Sequence, residues 1–483
     1  MSNLFQQFER LIFSHFPHHP TQCQVEACAA LVHFLYDADP NAAFILRGYA
    51  GTGKTSLISA LIQTAPALQL RTRLLAPTGR AAKVLANYSG RTAYTIHKQI
   101  YFTDTLTTGI PRMVRAVNKH SYTLFIVDEA SMIGLGDESM TGTHRSLLED
   151  LIEYVLSGNH CRILFIGDTA QLPPVGSAES PALDDDYLQT YTPLHIHSYE
   201  MTEVVRQQKM SGILQNATRL RNQIIEMEEF DEVQFPLFDL NGCDDVIRLN
   251  GADLEEVLNK EYEEDNLEHV AMITRSNKRA NLFNQGIRNR VLYREEEINA
   301  GDYLMVVKNN YFWLDNDSDI DFIANGDIVE VLGARNHRDL YGYRFIEATL
   351  RFVDYPDAPT YDCNLLLDTL HSESPSLTYE ESQNFYKTVM EDYADLPSRA
   401  LRIEELRKNP YYNALQVKFA YALTCHKTQG GQWNTIIIDQ GYLTDEMLNR
   451  EYLRWLYTAI TRATHKVYLL NFEDKFFEEM SEE

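Results

Sequence analysis

Positive charge is scarce in this 483-residue sequence: 43 Lys and Arg stand against 69 Asp and Glu, a formal net charge of −26. A chain so acidic does not coat nucleic acid by bulk charge, although a local basic groove remains compatible with it. Cysteine is also sparse. The six residues Cys23, Cys28, Cys161, Cys243, Cys363 and Cys425 have no pair-of-pairs spacing, which excludes a disulfide framework and fits free thiols in a reducing compartment. His15, His18 and His19 stand near Cys23 and Cys28, but they read as a polar N-terminal segment beside a helix rather than as a zinc site. No run of 18 apolar residues occurs, and the first twenty residues lack a basic start followed by an apolar core. Membrane insertion and export are therefore not expected, and a cytoplasmic location is. With 44% apolar and 11% aromatic residues, the chain has enough material for two to four ordinary globular domains.

Against these absences stands Gly48-Tyr49-Ala50-Gly51-Thr52-Gly53-Lys54-Thr55, set between the apolar run Phe44-Ile45-Leu46 and a helix-like run from Ser56 to Gln63. The glycines let main-chain N–H groups curl around a polyphosphate, Lys54 reaches the β and γ oxygens, and the Thr55 hydroxyl suits Mg²⁺. Binding of a nucleoside triphosphate, ATP with Mg²⁺, follows as the first expectation. Upstream, Thr21 to Tyr36 has helical spacing with Thr21 as N-cap. Its Gln24 carries an amide that suits an adenine edge, with a solvent-facing glutamine as the alternative.

Further along, Leu74-Leu75-Ala76 reads as a buried strand and Pro77-Thr78-Gly79-Arg80 as a turn into a helix N-terminus. Pro77, Thr78 and Arg80, with His97 nearby, mark the most basic stretch of the chain and a place for a phosphate backbone. Residues 100–117 suggest a β-hairpin. Tyr101 and Phe102 on it either stack on a base or wedge a duplex, or else serve as ordinary hairpin packing. The strand Leu124-Phe125-Ile126-Val127 ends at Asp128-Glu129, where Asp128 suits the metal and Glu129 the attacking water. Another strand, Arg162 to Ile166, leads to Gln171, placed to feel the γ-phosphate. His269 to Thr274 followed by Ser276-Asn277 repeats the strand-then-polar-turn logic, so Thr274 and Asn277 are further phosphate contacts.

Five motifs in this order resemble superfamily 1 helicases of the RecD and Dda type, and the likeness continues. Glu203-Val204-Val205-Arg206-Gln207 resembles the family's fourth motif, Phe419 to Gly430 its fifth, and Leu456 to Ala463 its sixth. The resemblance implies an α/β fold of two RecA-like P-loop lobes. Lobe 1 would take residues 1–99 and 118–197, interrupted by the hairpin at 100–117. Lobe 2 would take 198–299 and 411–483, interrupted by an SH3-like barrel with a helical elaboration at 300–410. It also implies Arg206 and Arg462 as cationic fingers on the γ-phosphate, Gly430 at the nucleotide, and Thr424, His426, Lys427 and Gln429 as a grip on DNA. The implied activity is DNA-stimulated ATP hydrolysis with 5′-to-3′ movement on single-stranded DNA. Implied partners are single-stranded DNA, junctions with duplex, and proteins of repair or recombination, the motor acting as a monomer.

Overall fold

The computed structural model describes residues 2–16, 18–104, 112–135, 146–205, 211–227, 234–314, 323–353 and 358–478. In chain order the first strands are β1 (Ala42–Gly48), β2 (Arg71–Ala76), β3 (Ala93–Thr95), the antiparallel pair β4 (Tyr101–Asp104) and β5 (Arg112–Arg115), then β6 (Thr123–Val127), β7 (Arg162–Gly167) and β8 (His195–Met201). Apart from β4 and β5 they form one parallel sheet in the order β3-β2-β6-β7-β1-β8. The reason lies in the strand residues, which are apolar on both faces. Ala43, Ile45, Phe125, Val127, Ile163 and Phe165 pack with Leu148, Leu151 and Val155 of the helix Leu147–Leu156. Their neighbours Phe44, Leu46, Leu124, Ile126, Leu164 and Ile166 pack with Leu31 and Phe34 of Gln22–Leu35 and Leu57 and Leu61 of Lys54–Thr64.

A second parallel sheet uses β9 (Val246–Leu249) and β10 (Val270–Thr274). The chain then leaves it for a closed barrel of β11 (Tyr303–Val306), β12 (Ile328–Leu340), β13 (Tyr343–Phe352), β14 (Tyr361–Leu366) and β15 (Leu415–Phe419). It returns as β16 (Ala422–Thr424), β17 (Trp433–Asp439) and β18 (Ala463–Leu470), giving the order β16-β10-β17-β18-β9. Two of the expected boundaries move. The first sheet runs to Met201 rather than 197, because β8 pairs with β1 over its whole length. The barrel takes residues beyond 410, because β15 closes it against β11, Leu304 opposite Phe419. Three residues later the same chain is already in the second sheet, so barrel and lobe share one continuous segment. The elaboration consists of helices Tyr379–Glu391 and Arg399–Lys408, whose Phe385, Val389 and Leu406 cover Phe345 and Leu366 of the barrel.

Asp302 fixes the joint between barrel and second sheet. Its fully buried carboxylate accepts from Arg288 Nε at 3.0 Å, Arg294 Nη1 at 2.5 Å, the Tyr421 hydroxyl at 2.9 Å and the Asn299 amide at 2.8 Å. Removing it strands two guanidiniums where water is scarce. Asp302→Ala should cost about 3–5 kcal/mol of local stability, read as a lower urea midpoint by tyrosine fluorescence; an unchanged midpoint would contradict the role given to Asp302.

Candidate active site and nucleic-acid groove

The phosphate loop joins the end of β1 to the helix Lys54–Thr64. Gly53, at φ +83°, is its N-cap and offers no side chain to the first-turn N–H groups, which leaves that positive helix end available to an anion. A Cβ at Gly53 would stand 2.2 Å from Gln24 Nε2, so only glycine fits. Lys54 Nζ donates to the carbonyl oxygens of Gly48 and, at 3.0 Å, of Tyr49. Gln24 is buried, with its amide engaged inside the protein: Nε2 donates to Thr52 O at 3.2 Å, and Oε1 accepts from Thr21 N at 2.9 Å. It braces the loop rather than presenting the open edge expected for adenine. Gly48, Ala50, Gly51, Thr52, Lys54 and Thr55 lie along the loop and its helix start.

At the end of β6, Asp128 Oδ2 accepts from the Tyr88 hydroxyl at 2.6 Å and Oδ1 from the Glu129 amide at 2.9 Å. Burial pushes both carboxyls up. For Asp128, the Tyr88 hydrogen bond and then the Lys54 charge pull back; for Glu129, it is first Arg462 and then Lys54 that do so. A cation beside Asp128 would restore its charge, so this carboxylate and the Thr55 hydroxyl suit Mg²⁺ chemically. Arg462, buried at the end of the helix Arg450–Ile460, brings Nη1 to 4.0 Å from Glu129 Oε1 across the cleft. Arg206 lies outside the described residues; the preceding Val205 amide donates to Gly51 O at 3.0 Å.

The two lobes meet on this loop. The Tyr457 hydroxyl, wholly buried, accepts from Ala50 N at 2.9 Å and donates to Asp168 Oδ2 at 2.7 Å. Thr458 Oγ1 accepts from Leu172 N at 2.8 Å, and Gln429 Nε2 donates to Leu172 O at 2.8 Å. Gln171 itself is buried, and its Oε1 has no hydrogen-bond partner. It faces a cavity of about 400 Å³ shared with Ser131 and Asp168. Tyr457 and Asp168 were not singled out from sequence, although Tyr457 sits inside the sixth motif and Asp168 follows a buried strand.

A second hollow, about 630 Å³, gathers residues from all three units: Thr78, Arg80, Asn277, Thr424, His426, Lys427 and Gln429, with Arg275, Lys278 and the barrel turn Asn325-Gly326. Seven residues expected to hold a phosphate backbone thus share one groove. Arg80 is stacked on the Trp433 ring at 3.9 Å, a contact that no motif signalled. Other expected contacts do not reach it. Thr274 is fully buried, and its hydroxyl donates to Ser276 O at 3.1 Å, which secures the turn rather than a ligand. The Tyr101 hydroxyl donates to Asp150 Oδ2 at 2.8 Å and its ring lies 5.8 Å from that of His97, so these two pack the hairpin base. Phe102 is the exposed ring. Pro77 stands in the turn before Thr78. Gly430, at φ +73°, is pressed against Ala81 of the first lobe instead of the phosphate loop: a Cβ would meet Ala81 Cβ at 2.6 Å.

The paired parallel sheets, the phosphate loop and the cleft between them define a two-lobed P-loop protein of the RecA-like kind. A family model of the AAA domain matches residues 22–234, and one of the UvrD-like helicase C-terminal domain matches residues 419–470. The chain is similar to the ATP-dependent RecD2 DNA helicase of Deinococcus radiodurans, 35% identical over 175 residues, 36% of this chain and 21% of that one. It is also similar to the ATP-dependent DNA helicase dda of Enterobacteria phage T4, 31% identical over 185 residues, 37% of each chain. A crystal structure of Pif1 helicase from Bacteroides in complex with ADP-AlF3 and ssDNA aligns with 96% of this chain and 95% of that one, at 15% identity and a TM-score of 0.48. By these matches the chain resembles helicases of the RecD and Dda type, and it spans about a fifth and just over a third of the length of those two relatives.

Lys427 in the groove, and Lys418 on β15, whose Nζ donates to Thr369 O at 3.1 Å, are poised to change charge. Burial, helped by the charge of Lys418, brings Lys427 down to about 7, and burial brings Lys418 to about 8. Because Lys427 titrates below its ordinary value, its charge burdens the fold below pH about 7, and that burden lifts as pH rises. A phosphate beside it reverses the preference, so binding takes up a proton above that pH. Affinity for an oligonucleotide should fall as pH rises from about 7 to about 9. Lys427→Ala should flatten that fall and lower the salt slope by about 1; fluorescence anisotropy at fixed ionic strength reads both, and identical pH profiles would refute the assignment.

Proposed function

We propose that the chain is an ATP-driven helicase that moves on single-stranded DNA, in the 5′-to-3′ direction, and separates duplex ahead of it. The observation that carries this reading is the sharing of elements between cleft and groove. Gln429 lines the groove and donates to Leu172, the residue after Gln171, while Thr458 of the Arg462 helix accepts from the same Leu172. A change in the cleft is therefore felt one residue away from the strand grip.

Within this reading the phosphate loop and Lys54 hold the triphosphate, Thr55 and Asp128 hold Mg²⁺, and the metal when bound neutralises charge on the phosphate oxygens. Glu129 orients the attacking water and takes its proton. Its raised carboxyl pKa is offset by Arg462 and Lys54, which favour the ionised, proton-accepting form. Arg462 and Arg206 supply positive charge from the second lobe as negative charge develops, drawing the lobes together. Lys54 must leave the carbonyls of Gly48 and Tyr49 to meet a phosphate, and the Tyr457 hydroxyl must share or release the Ala50 amide. Loading the cleft thus changes contacts that cross between lobes.

On the groove side, Thr78 and Arg80 grip from lobe 1 while Thr424, His426 and Lys427 grip from lobe 2. Alternating these grips moves the strand, and Phe102 on the hairpin, with the barrel turn at Asn325-Gly326, meets the duplex junction. Backbone contacts dominate, so base identity should matter little and affinity should fall steeply with salt. A pure single-strand translocase, or a scaffold that uses ATP only as a switch, has the same cleft; strand separation and turnover tell them apart.

Lys54→Ala should lower ATP turnover by about 10²-fold or more while leaving oligonucleotide affinity nearly intact, measured by phosphate release and anisotropy; surviving turnover would displace the site. Duplexes carrying a 5′ tail should be unwound with ATP and Mg²⁺, and those with only a 3′ tail should not. The reverse preference would overturn the direction, and no unwinding with either tail would leave a translocase. Stimulation by RNA equal to that by DNA of the same length would broaden the track.

A further inference from the structure

At the far end of the first sheet from the phosphate loop, three side chains separated by some 160 residues of sequence converge. His195 and His197 alternate on β8 and so point to one side of an edge strand, and Asp37 lies in the turn after the helix Gln22–Leu35. One donor atom from each lies within 4.8 Å of the others, the only such grouping of His, Cys, Asp and Glu among the described residues. His197 Nε2 is 2.6 Å from Asp37 Oδ2; His195 Nδ1 is 3.9 Å from the same oxygen and 3.5 Å from Asp39 Oδ2.

We propose that Asp37, His195 and His197 form a binding site for one divalent cation of the zinc class, with Asp39 or water as fourth donor. Two imidazoles and a carboxylate are borderline donors of the kind Zn²⁺ takes. Tetrahedral Zn–N and Zn–O bonds of about 2.0–2.2 Å set donor separations of about 3.3–3.6 Å. The two His195 separations are close to that range, and the His197–Asp37 hydrogen bond need open by only about 1 Å. The shell behind the donors is already built. Asp37 Oδ1 accepts from Asp39 N at 2.8 Å, which leaves Oδ2 facing the imidazoles. Arg162 donates to the carbonyls of Phe34 and Leu35 at 2.7 and 2.9 Å and to that of Asp37, and so holds the turn. His195 N donates to Asn41 O at 3.0 Å, and the His197 ring packs 6.0 Å from that of Phe34. The guanidinium of Arg162 is the one charge in this shell that opposes a cation.

The site stands one full strand away from the phosphate loop, about 20 Å along β1. Its role is accordingly a cross-link: it ties edge strand β8 to the turn that leads into β1, leaving the cleft chemistry alone.

The test is titration of the full chain with Co²⁺ alone, followed by displacement with Zn²⁺. One equivalent should give the visible absorption of four-coordinate cobalt and raise the melting temperature. His195→Ala and His197→Ala, each checked for native circular dichroism, should weaken binding by about tenfold or more and lose the thermal shift. Asp39→Asn, at a half-buried position, should bind with at most a small loss. Absence of a saturable band in the native chain would overturn the proposal. So would a band of equal strength in the double variant His195→Ala, His197→Ala, which would place the metal elsewhere, for example at His15, His18 and His19.

Discussion

One buried phenol holds the working parts in register. Tyr457 belongs to the second lobe, yet its hydroxyl accepts from the Ala50 amide of the phosphate loop and donates to Asp168 at the end of β7. Burial and the neighbouring Asp168 drive its acidity well down, so it remains a neutral donor at every working pH. A buried hydroxyl with both its donor and its acceptor function used is costly to disturb, and any group that claims the Ala50 amide must compete with it. The lobes therefore meet through hydrogen bonds that can be exchanged, set beside the apolar packing of Tyr49, Ala170 and Leu172 against the core of the second lobe.

The groove depends on the same economy of contact. Its cations are few, as the acidic composition requires, and they are concentrated by placing the ends of three units together: Thr78 and Arg80 at a helix N-terminus of lobe 1, Thr424 to Gln429 after β16, and Asn325-Gly326 from the barrel. Burial weakens the charge of Lys427 among them. An otherwise strongly negative protein, at −26, thus gathers the few cations of the groove from separate units into one place.

Much of this was legible in the residues because it is local. Continuous apolar strands followed by polar turns gave β1, β6, β7 and β10 with their chemistry at the carboxyl ends, and the capping box of Thr21 and Gln24 begins its helix where spacing said it would. The barrel came through the family resemblance. What was not legible depended on distant partners. Gln24 looked like an open amide until Thr52 stood beside it, Thr274 looked like a ligand until its hydroxyl met Ser276 O, and Gly430 looked like part of the nucleotide site until Ala81 arrived. The histidines of β8 carried no pattern at all, since Asp37 is far away in sequence. The barrel boundary slipped for a similar reason: β15 is recognised by its pairing with β11, not by its own composition.

The contact of Gly430 with Ala81 has a mechanical meaning. Where a methyl group would stand 2.6 Å from Ala81 Cβ, the lobes touch almost main chain to main chain, with no long side chain to flex between them. Sliding across such a point would drive bare backbone into a helix. The lobes accordingly meet there with no slack, and any side chain at residue 430 would have to wedge them apart beside the groove.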